Sequence, residues 1–309
     1  MTLHNLGKSG LRVSLVGLGC NNFGQRMDLA SSTKVIDKAL DAGITLFDTA
    51  DVYGGRGGSE TVLGQVLGDR RKDIVLATKC GMAMDEGEKN GASRRYIMAA
   101  LDASLKRLKT DWIDLYQVHQ PDPSTPIEET LRTLDDVVRA GKVRYIGCSN
   151  FSAVQMVEAQ WTARHLNLNA FISAQDEYSL LKRDLDRENL PVMEKHGLGL
   201  LPYFPLASGL LTGKHKRGEL AAGSRLTTQA FAGRFTSDAN FDAVEKLGAF
   251  AKARGHTLLE LAFSWLAARP MVGSIIAGAT KPEQIEANVK AADWALTAED
   301  MSEIDKITS

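Results

Sequence analysis

The sequence has few of the features that mark secreted, metal-stabilised or membrane-spanning proteins. Its 309 residues include three cysteines, Cys20, Cys80 and Cys148, and no two of them form a CxxC pair. An odd number of cysteines without metal-ligand spacing argues against a disulfide framework and against structural zinc. No stretch approaches the 18 uncharged apolar residues of a membrane-spanning helix. We therefore expect small, buried packing cysteines and no membrane span.

The sequence also lacks an excess of charge of either sign. Its formal net charge is −1, so it has no basic field that would attract nucleic acid or an anionic membrane surface. The first residues contain no apolar segment of signal-peptide length. We expect a cytoplasmic monomer or small homo-oligomer that binds a small molecule and neither nucleic acid nor membranes.

Eight short apolar runs recur along the chain, and each ends in or near polar residues. Continuous apolar runs of this length are typical of parallel strands that are buried on both faces. They span residues 15–18, 45–48, 74–79, 115–119, 145–149, 171–175, 199–203 and 273–276.

Amphipathic segments between these runs have the period of helices, as in Ile97, Leu101, Leu105 and Leu108. We predict that Ser and Thr residues from Ser31 onward begin the first helix, and that Asn150 caps the fourth. The predicted helices cover residues 31–41, 93–108, 126–140, 152–166, 241–254, 257–268 and 297–307. Eight strand–helix alternations indicate a closed barrel or a large doubly wound sheet.

The distribution of polar residues favours the barrel. They follow the carboxyl ends of many different strands, which is where barrel active sites are built. A doubly wound sheet would concentrate its signal in one glycine-rich turn, but the first strand ends in GLGCNN at 17–22 and lacks the third glycine. We predict one (β/α)8 TIM barrel domain over residues 1–309. A β-hairpin over residues 3–13, turning at 8–10, should close the barrel floor.

Four ionisable residues end or follow strands two, three and four: Asp48, Tyr53, Lys79 and His119. Each taken singly has an ordinary structural explanation, but in a barrel these strand ends meet at one mouth. Reduction of a carbonyl group needs a proton donor and a group that holds the oxygen. Tyr53 can donate the proton, Lys79 can lower its pKa from about 10, Asp48 can fix Lys79, and His119 can bind the oxygen.

Several motifs resemble those of the aldo-keto reductases, in particular the branch similar to potassium-channel β subunits. The matching blocks occur in the family's order between residues 6 and 288. They are FDTADVYG at 47–54 with Ser59-Glu60, TK at 78–79, QVHQPD at 117–122, GCSNF at 147–151, PLASGLLTGK at 205–214, and GATKPEQIEAN at 278–288.

The resemblance implies NADPH-dependent reduction of aldehydes or ketones to alcohols. It assigns Tyr53 as the general acid, with Lys79, Asp48 and His119 around it. The implied NADP(H) ligands are Ser149, Asn150 and Gln175 for the carboxamide and Tyr203 for the ring. Along the pyrophosphate and adenosine they are Pro205, Leu206, Ser208, Gly209, Leu211, Lys214, Gly278, Thr280, Lys281, Gln284 and Asn288.

Two other functions are considered. A nucleotide-sensing regulatory subunit with little turnover would keep the same four polar residues, so these do not exclude it. A metal-dependent barrel hydrolase would need histidines and carboxylates together at strand ends, and among the six histidines only His119 follows a strand end. We therefore expect no metal site.

The segment 208–237 is rich in glycine and cationic residues. This composition predicts little apolar burial and a mobile loop, of which residues 208–214 close over the bound dinucleotide.

Overall fold

Eight parallel strands form a nearly closed barrel in the computed structural model, which describes residues 3–84 and 90–308. From the first to the seventh, each strand pairs with the next along the chain, and the eighth pairs with the first. The barrel closes where the Gly273 N–H donates to the Leu200 carbonyl at 2.9 Å. The barrel strands are β3 (Val16–Gly19), β4 (Leu46–Asp48), β5 (Val75–Cys80), β6 (Ile113–Val118), β7 (Val143–Ser149), β8 (Ser173–Glu177), β9 (Gly199–Tyr203) and β10 (Ile275–Gly278). The predicted (β/α)8 TIM barrel is confirmed.

The helices between and after these strands surround the barrel. They are α1 (Leu29–Asp41), α2 (Tyr53–Arg56), α3 (Gly58–Val66), α4 (Arg94–Leu108), α5 (Ile127–Arg139), α6 (Ala153–His165), α7 (Asn189–His196), α8 (Gln229–Phe235), α9 (Asp238–Ala253), α10 (Leu258–Ala267), α11 (Pro282–Lys290) and α12 (Ala298–Thr308). Among the described residues, no helix combines the length and apolar character needed to cross a membrane.

The predicted N-terminal caps of two helices are wrong, and α9 begins at Asp238, three residues before the predicted start at 241. Helix α1 begins at Leu29 because the Asp28 side chain accepts the N–H of Ser31 and caps it. Helix α6 is capped by Ser152 in a reciprocal capping box with Gln155, whereas Asn150 lies outside the helix. Since Asp and Ser are as good caps as Asn, nearby candidates compete, and the path of the incoming chain decides between them.

A two-stranded hairpin, β1 (Leu3–Asn5) with β2 (Arg12–Ser14), lies at the amino-terminal end of the barrel. It is tied there by a 2.8 Å bond from the Lys8 N–H to the Gly197 carbonyl. Leu6, which is fully buried, packs with residues that point into the barrel: Val13, Leu46, Ala77, Leu115, Leu201 and Ile276. The predicted hairpin floor is thus part of the interior core.

A second, larger apolar layer lies between the strands and the helices and includes the three buried cysteines. The segment 208–237 contributes to it, which contradicts the expectation of little apolar burial. Short 3-10 helices at Ala207–Thr212 and Arg225–Thr227 place Leu210, Leu211 and Leu226 in the core, and Phe235 follows at the end of α8. The apolar residues of this segment follow neither a helix nor a strand period, so the sequence pattern did not predict that they are buried together.

We predict that Leu6→Ala lowers the free energy of unfolding by about 2–5 kcal/mol, because it leaves a cavity beneath the barrel. Leu29→Ala is the matched control, since Leu29 is 47% exposed. Urea denaturation of both variants measures the difference. Equal, small losses would contradict the role of the hairpin as a packed floor.

Candidate active site

A cleft of about 650 Å³ opens at the carboxyl ends of the barrel strands. Side chains from most of the strands, and from the segment after β9, face it. The four residues predicted to act together lie at its inner end. Asp48 ends β4, Tyr53 begins α2, Lys79 lies near the end of β5, and His119 follows β6. The structure therefore brings together residues that are up to 71 positions apart in sequence (119 − 48).

Lys79 is fully buried and joins two of the other residues. Its Nζ donates to Asp48 Oδ2 at 2.8 Å and to the Thr49 carbonyl at 2.7 Å, and it lies 3.4 Å from Tyr53 Oη. Burial lowers the pKa of Lys79, but Asp48 and then Tyr53 reverse this effect and the net pKa is raised. The ammonium form is therefore stable beneath the tyrosine.

Burial raises the pKa of Tyr53, and the nearby Lys79 ammonium only partly offsets this rise. Lys79 lowers the phenol pKa as expected, but the net pKa is still raised because desolvation of the phenolate outweighs the attraction of one cation. The phenol stays protonated near neutral pH. This is the form that a proton donor requires.

Two buried amides complete the surroundings of Asp48. Gln175 Nε2 donates to Asp48 Oδ1 at 2.8 Å, and Gln117 Nε2 lies 3.3 Å from the same atom. Gln117 was missed in the sequence. Its position two residues before His119, on the same face of the strand, is the signal that could have found it.

His119 is 6% exposed, and its ring packs edge-on against Tyr53 with 5.6 Å between the ring centroids. Burial, and then the neighbouring Lys79 charge, lowers the pKa of His119 to about 3. The imidazole is therefore neutral near pH 7 and has one N–H to donate. Its Nδ1 has no hydrogen-bond partner among the described residues, whereas Asn150 Nδ2 donates to its carbonyl at 2.9 Å.

The Ser149–Asn150 block lies next to this cluster. Ser149 Oγ donates to the Gln175 carbonyl at 2.8 Å, and Tyr203 Oη donates to Asn150 Oδ1 at 2.8 Å. Asn150 has a left-handed backbone with φ of 60°, which turns the chain away from β7 and directs its side chain into the cleft. These polar groups form one end of the cleft.

The other predicted ligands mostly line the rest of the cleft. Those that do are Pro205, Leu206, Ser208, Gly209, Lys214, Gly278, Thr280, Gln284 and Asn288. Leu211 is instead fully buried in the apolar core, so its side chain is not at the cleft, and Lys281 is exposed just outside it. Gln284 Oε1 accepts the N–H groups of Thr280 at 2.7 Å and Lys281 at 3.2 Å, which closes the start of α11.

Arg225 and Arg234, which the sequence indicated only as cations of the segment 208–237, line the cleft. Arg225 Nη2 donates to Asn22 Oδ1 at 2.7 Å, which joins the segment after β9 to the loop after β3 across the cleft. Among the described residues, no carboxylate forms an ion pair with Arg225, whereas Arg234 pairs with Glu177. The sequence shows that the glycine-rich segment 208–237 contains several cationic residues, but only the fold shows which of them face the cleft.

A second polar cluster lies behind Tyr53. Asp51 is 1% exposed, its Oδ1 has no partner among the described residues, and Tyr96 Oη lies 3.5 Å from its Oδ2. Nearby, the fully buried Glu60 pairs with Arg107 at 2.7 Å. Burial, with the Glu60 charge next in importance, raises the pKa of Asp51 to about 7.

The fold and these side chains define a (β/α)8-barrel protein with a tyrosine, lysine, carboxylate and histidine cluster at the carboxyl ends of its strands. A sequence model of the aldo/keto reductase family matches residues 15–309. The chain belongs to this family of oxidoreductases, whose members generally use nicotinamide cofactors.

Proteins similar in sequence to this chain carry names that describe different functions. A probable voltage-gated potassium channel subunit beta of Arabidopsis thaliana is 40% identical, over 95% of this chain and 92% of its own length. The uncharacterized oxidoreductase YrpG of Bacillus subtilis is 36% identical over 95% and 92%. The L-glyceraldehyde 3-phosphate reductase of Escherichia coli is 34% identical over 97% and 90%.

The raised pKa of Asp51 predicts how the folding stability of the protein changes with pH. Its folded pKa of about 7 exceeds that of an ordinary carboxyl, so its contribution to stability is lost as pH rises toward 7. An asparagine does not titrate. The stability of Asp51→Asn relative to the wild type should therefore be higher at pH 8 than at pH 5 by about 2–3 kcal/mol.

Urea denaturation at the two pH values measures this difference. Asp111→Asn, which alters an exposed carboxyl, is the control. A relative stability of Asp51→Asn that does not change with pH would show that Asp51 ionises normally in the folded protein.

Proposed function

We propose that this protein reduces aldehyde or ketone carbonyl groups to alcohols, with NADPH as the hydride donor and Tyr53 as the proton donor. The observation that carries the proposal is the buried Lys79 ammonium between Asp48 and Tyr53, beside a neutral His119 at the inner end of a deep cleft. The aldo/keto reductase family match and the two relatives named as an oxidoreductase and a reductase support it.

The residues along the cleft fit a nicotinamide dinucleotide. One end carries the amide and hydroxyl groups of Ser149 and Asn150, and Tyr203 offers an aromatic face beside them. Farther along, the buried Ser208 Oγ has no hydrogen-bond partner among the described residues, and the cations Lys214 and Arg225 line the walls. Hydroxyl and cationic groups of this kind suit the pyrophosphate.

When bound, NADPH supplies a hydride to the carbonyl carbon. As negative charge develops on the carbonyl oxygen, this oxygen takes the proton of Tyr53, and Tyr53 becomes a phenolate. The Lys79 ammonium, 3.4 Å from Tyr53 Oη, stabilises this phenolate and is itself held by Asp48. The neutral His119 donates a hydrogen bond that orients the carbonyl oxygen.

The regulatory alternative, a nucleotide-binding subunit with little turnover, is not favoured by a specific observation. Its support is the name of the potassium-channel relatives. Measured turnover with a range of carbonyl compounds separates the two functions.

We predict that Tyr53→Phe lowers kcat by at least about 100-fold because it removes the general acid. The Kd for NADPH should change little, since the phenyl ring remains. Steady-state kinetics with an accepted aldehyde and a fluorescence titration with NADPH measure the two effects. Tyr96→Phe, which also removes one tyrosine hydroxyl but does not line the cleft, is the control. Wild-type turnover in Tyr53→Phe would disprove the assignment.

We also predict a preference for NADPH over NADH. Thr280 and Gln284 line the far end of the cleft, and the exposed Lys281 lies between them in the chain, where its side chain can reach a 2′-phosphate. A charge-assisted contact of about 1.5 kcal/mol corresponds to roughly tenfold in affinity. Lys281→Ala should therefore weaken NADPH binding about tenfold and leave NADH binding unchanged.

Titration of both cofactors against intrinsic fluorescence checks this. Lys290→Ala, at the other end of α11, is the matched control. Equal dissociation constants of the wild type for NADPH and NADH would refute the preference.

A further inference from the structure

Asp176 is a buried carboxyl group without a cationic partner among the described residues. It follows Gln175 in β8, is 5% exposed and does not line the cleft. Its Oδ1 accepts the backbone N–H of Asn150 at 3.1 Å, and its Oδ2 has no hydrogen-bond partner among the described residues. Burial raises the pKa of Asp176 to about 7, and the Asn150 N–H only partly offsets this.

Such a group is unfavourable for folding. A buried carboxylate is normally paired with a cation or surrounded by several donors, and here it has one donor. An apolar side chain of the same size would fill the space without this cost. The position of the one hydrogen bond therefore indicates what the carboxyl group does.

That hydrogen bond ends at the residue that shapes the inner end of the cleft. Asn150 has φ of 60°, a left-handed conformation that is uncommon for residues other than glycine, although asparagine tolerates it better than most. Its N–H is shared between Asp176 Oδ1 and the Gln175 carbonyl, each at 3.1 Å. Both acceptors belong to β8, so the strand fixes the backbone of Asn150 from behind.

The Asn150 side chain depends on that backbone. Its Nδ2 donates to the His119 carbonyl at 2.9 Å, and its Oδ1 accepts from Tyr203 Oη at 2.8 Å. Asn150 therefore links the loop that carries His119 to the aromatic ring at the end of β9. A rotation of its backbone would break both links at once.

We propose that Asp176 is a positioning residue for the nicotinamide end of the cofactor. It holds Asn150 in the left-handed conformation, and through it the Asn150 amide and the Tyr203 ring. The inference rests on the proposed function, because it assumes that this end of the cleft receives the nicotinamide. It differs from the proposed ligand set in that Asp176 touches neither cofactor nor substrate.

The test compares two variants of similar size, Asp176→Leu, which lacks the acceptor, and Asp176→Asn, which keeps it. Two ligands are titrated: NADPH, and 2′-phospho-ADP-ribose, which lacks the nicotinamide. Asp176→Leu should weaken NADPH binding about fivefold to tenfold, the effect of one lost hydrogen bond, and change binding of the fragment less than about twofold. Asp176→Asn should restore NADPH binding to within about twofold of the wild type.

Asp135→Leu is the control for a general loss of structure. Asp135 is also buried and accepts a backbone N–H, from Asn169 at 2.9 Å, but it lies away from the cleft on α5. It should change the Kd of neither ligand. If Asp176→Leu does not fold, Asp176→Ala removes the same acceptor without adding branched carbons.

Three results would overturn the proposal: unchanged NADPH binding in Asp176→Leu, equal weakening of both ligands, or a loss in Asp176→Asn as large as that in Asp176→Leu. The proposed function fails separately. A wild-type protein that binds NADPH but reduces no carbonyl compound would contradict catalysis, while the binding comparison would still decide the role of Asp176.

Discussion

The ion pair between Lys79 and Asp48 is the interaction on which the site depends. A fully buried ammonium is costly unless its hydrogen bonds are satisfied, and here Asp48 Oδ2 and the Thr49 carbonyl accept two of them. Gln175 and Gln117 in turn donate to the other oxygen of Asp48. With both charges held this way, the third N–H of the Lys79 ammonium can donate to Tyr53. Removing either charge would leave the other uncompensated inside the barrel.

The barrel makes this arrangement possible because it brings separate strands to one mouth. Asp48, Lys79, Gln117 and Gln175 come from β4, β5, β6 and β8, and all four point toward the barrel axis. Leu6 and the barrel-facing apolar residues fill the opposite end. The interior is thus apolar at the floor and polar at the mouth. This gradient keeps the charges within reach of the cleft and away from the apolar layers below.

Stability and function oppose each other around the same mouth. Asp51 and Asp176 are buried carboxyls whose pKa values are raised to about 7, and neither forms an ion pair within the described ranges 3–84 and 90–308. Both lie beside segments that carry site residues, since Asp51 precedes Tyr53 by two positions and Asp176 contacts Asn150. Two carboxyl groups that are unfavourable for folding thus lie next to the segments that form the site. The choice of residues around the cleft is therefore not explained by the stability of packing alone.

The eight apolar runs predicted parallel strands joined by helices, because such strands are buried on both faces and each needs a helix to return, and the polar residues at many strand ends favoured the barrel. Their predicted ends differ from the observed strands by no more than two residues. Asp48, Tyr53, Lys79 and His119 could be predicted as a cluster since strand ends meet at one mouth. The sequence could not predict which residue caps a helix or where the segment after β9 packs. Several residues of equal propensity compete for these positions, and only the packed core selects between them.

By itself the sequence determined the class of fold and the identity of the four clustered side chains, since both follow from local patterns that any barrel of this kind must satisfy. The tertiary structure alone decided the rest. It places Gln175 on Asp48, buries Leu211 away from the cleft, brings Arg225 to Asn22 and sets Asp176 behind Asn150. These relations join residues that are distant in the chain or lie on opposite faces of a strand. They depend on distances and side-chain directions, which no linear pattern contains.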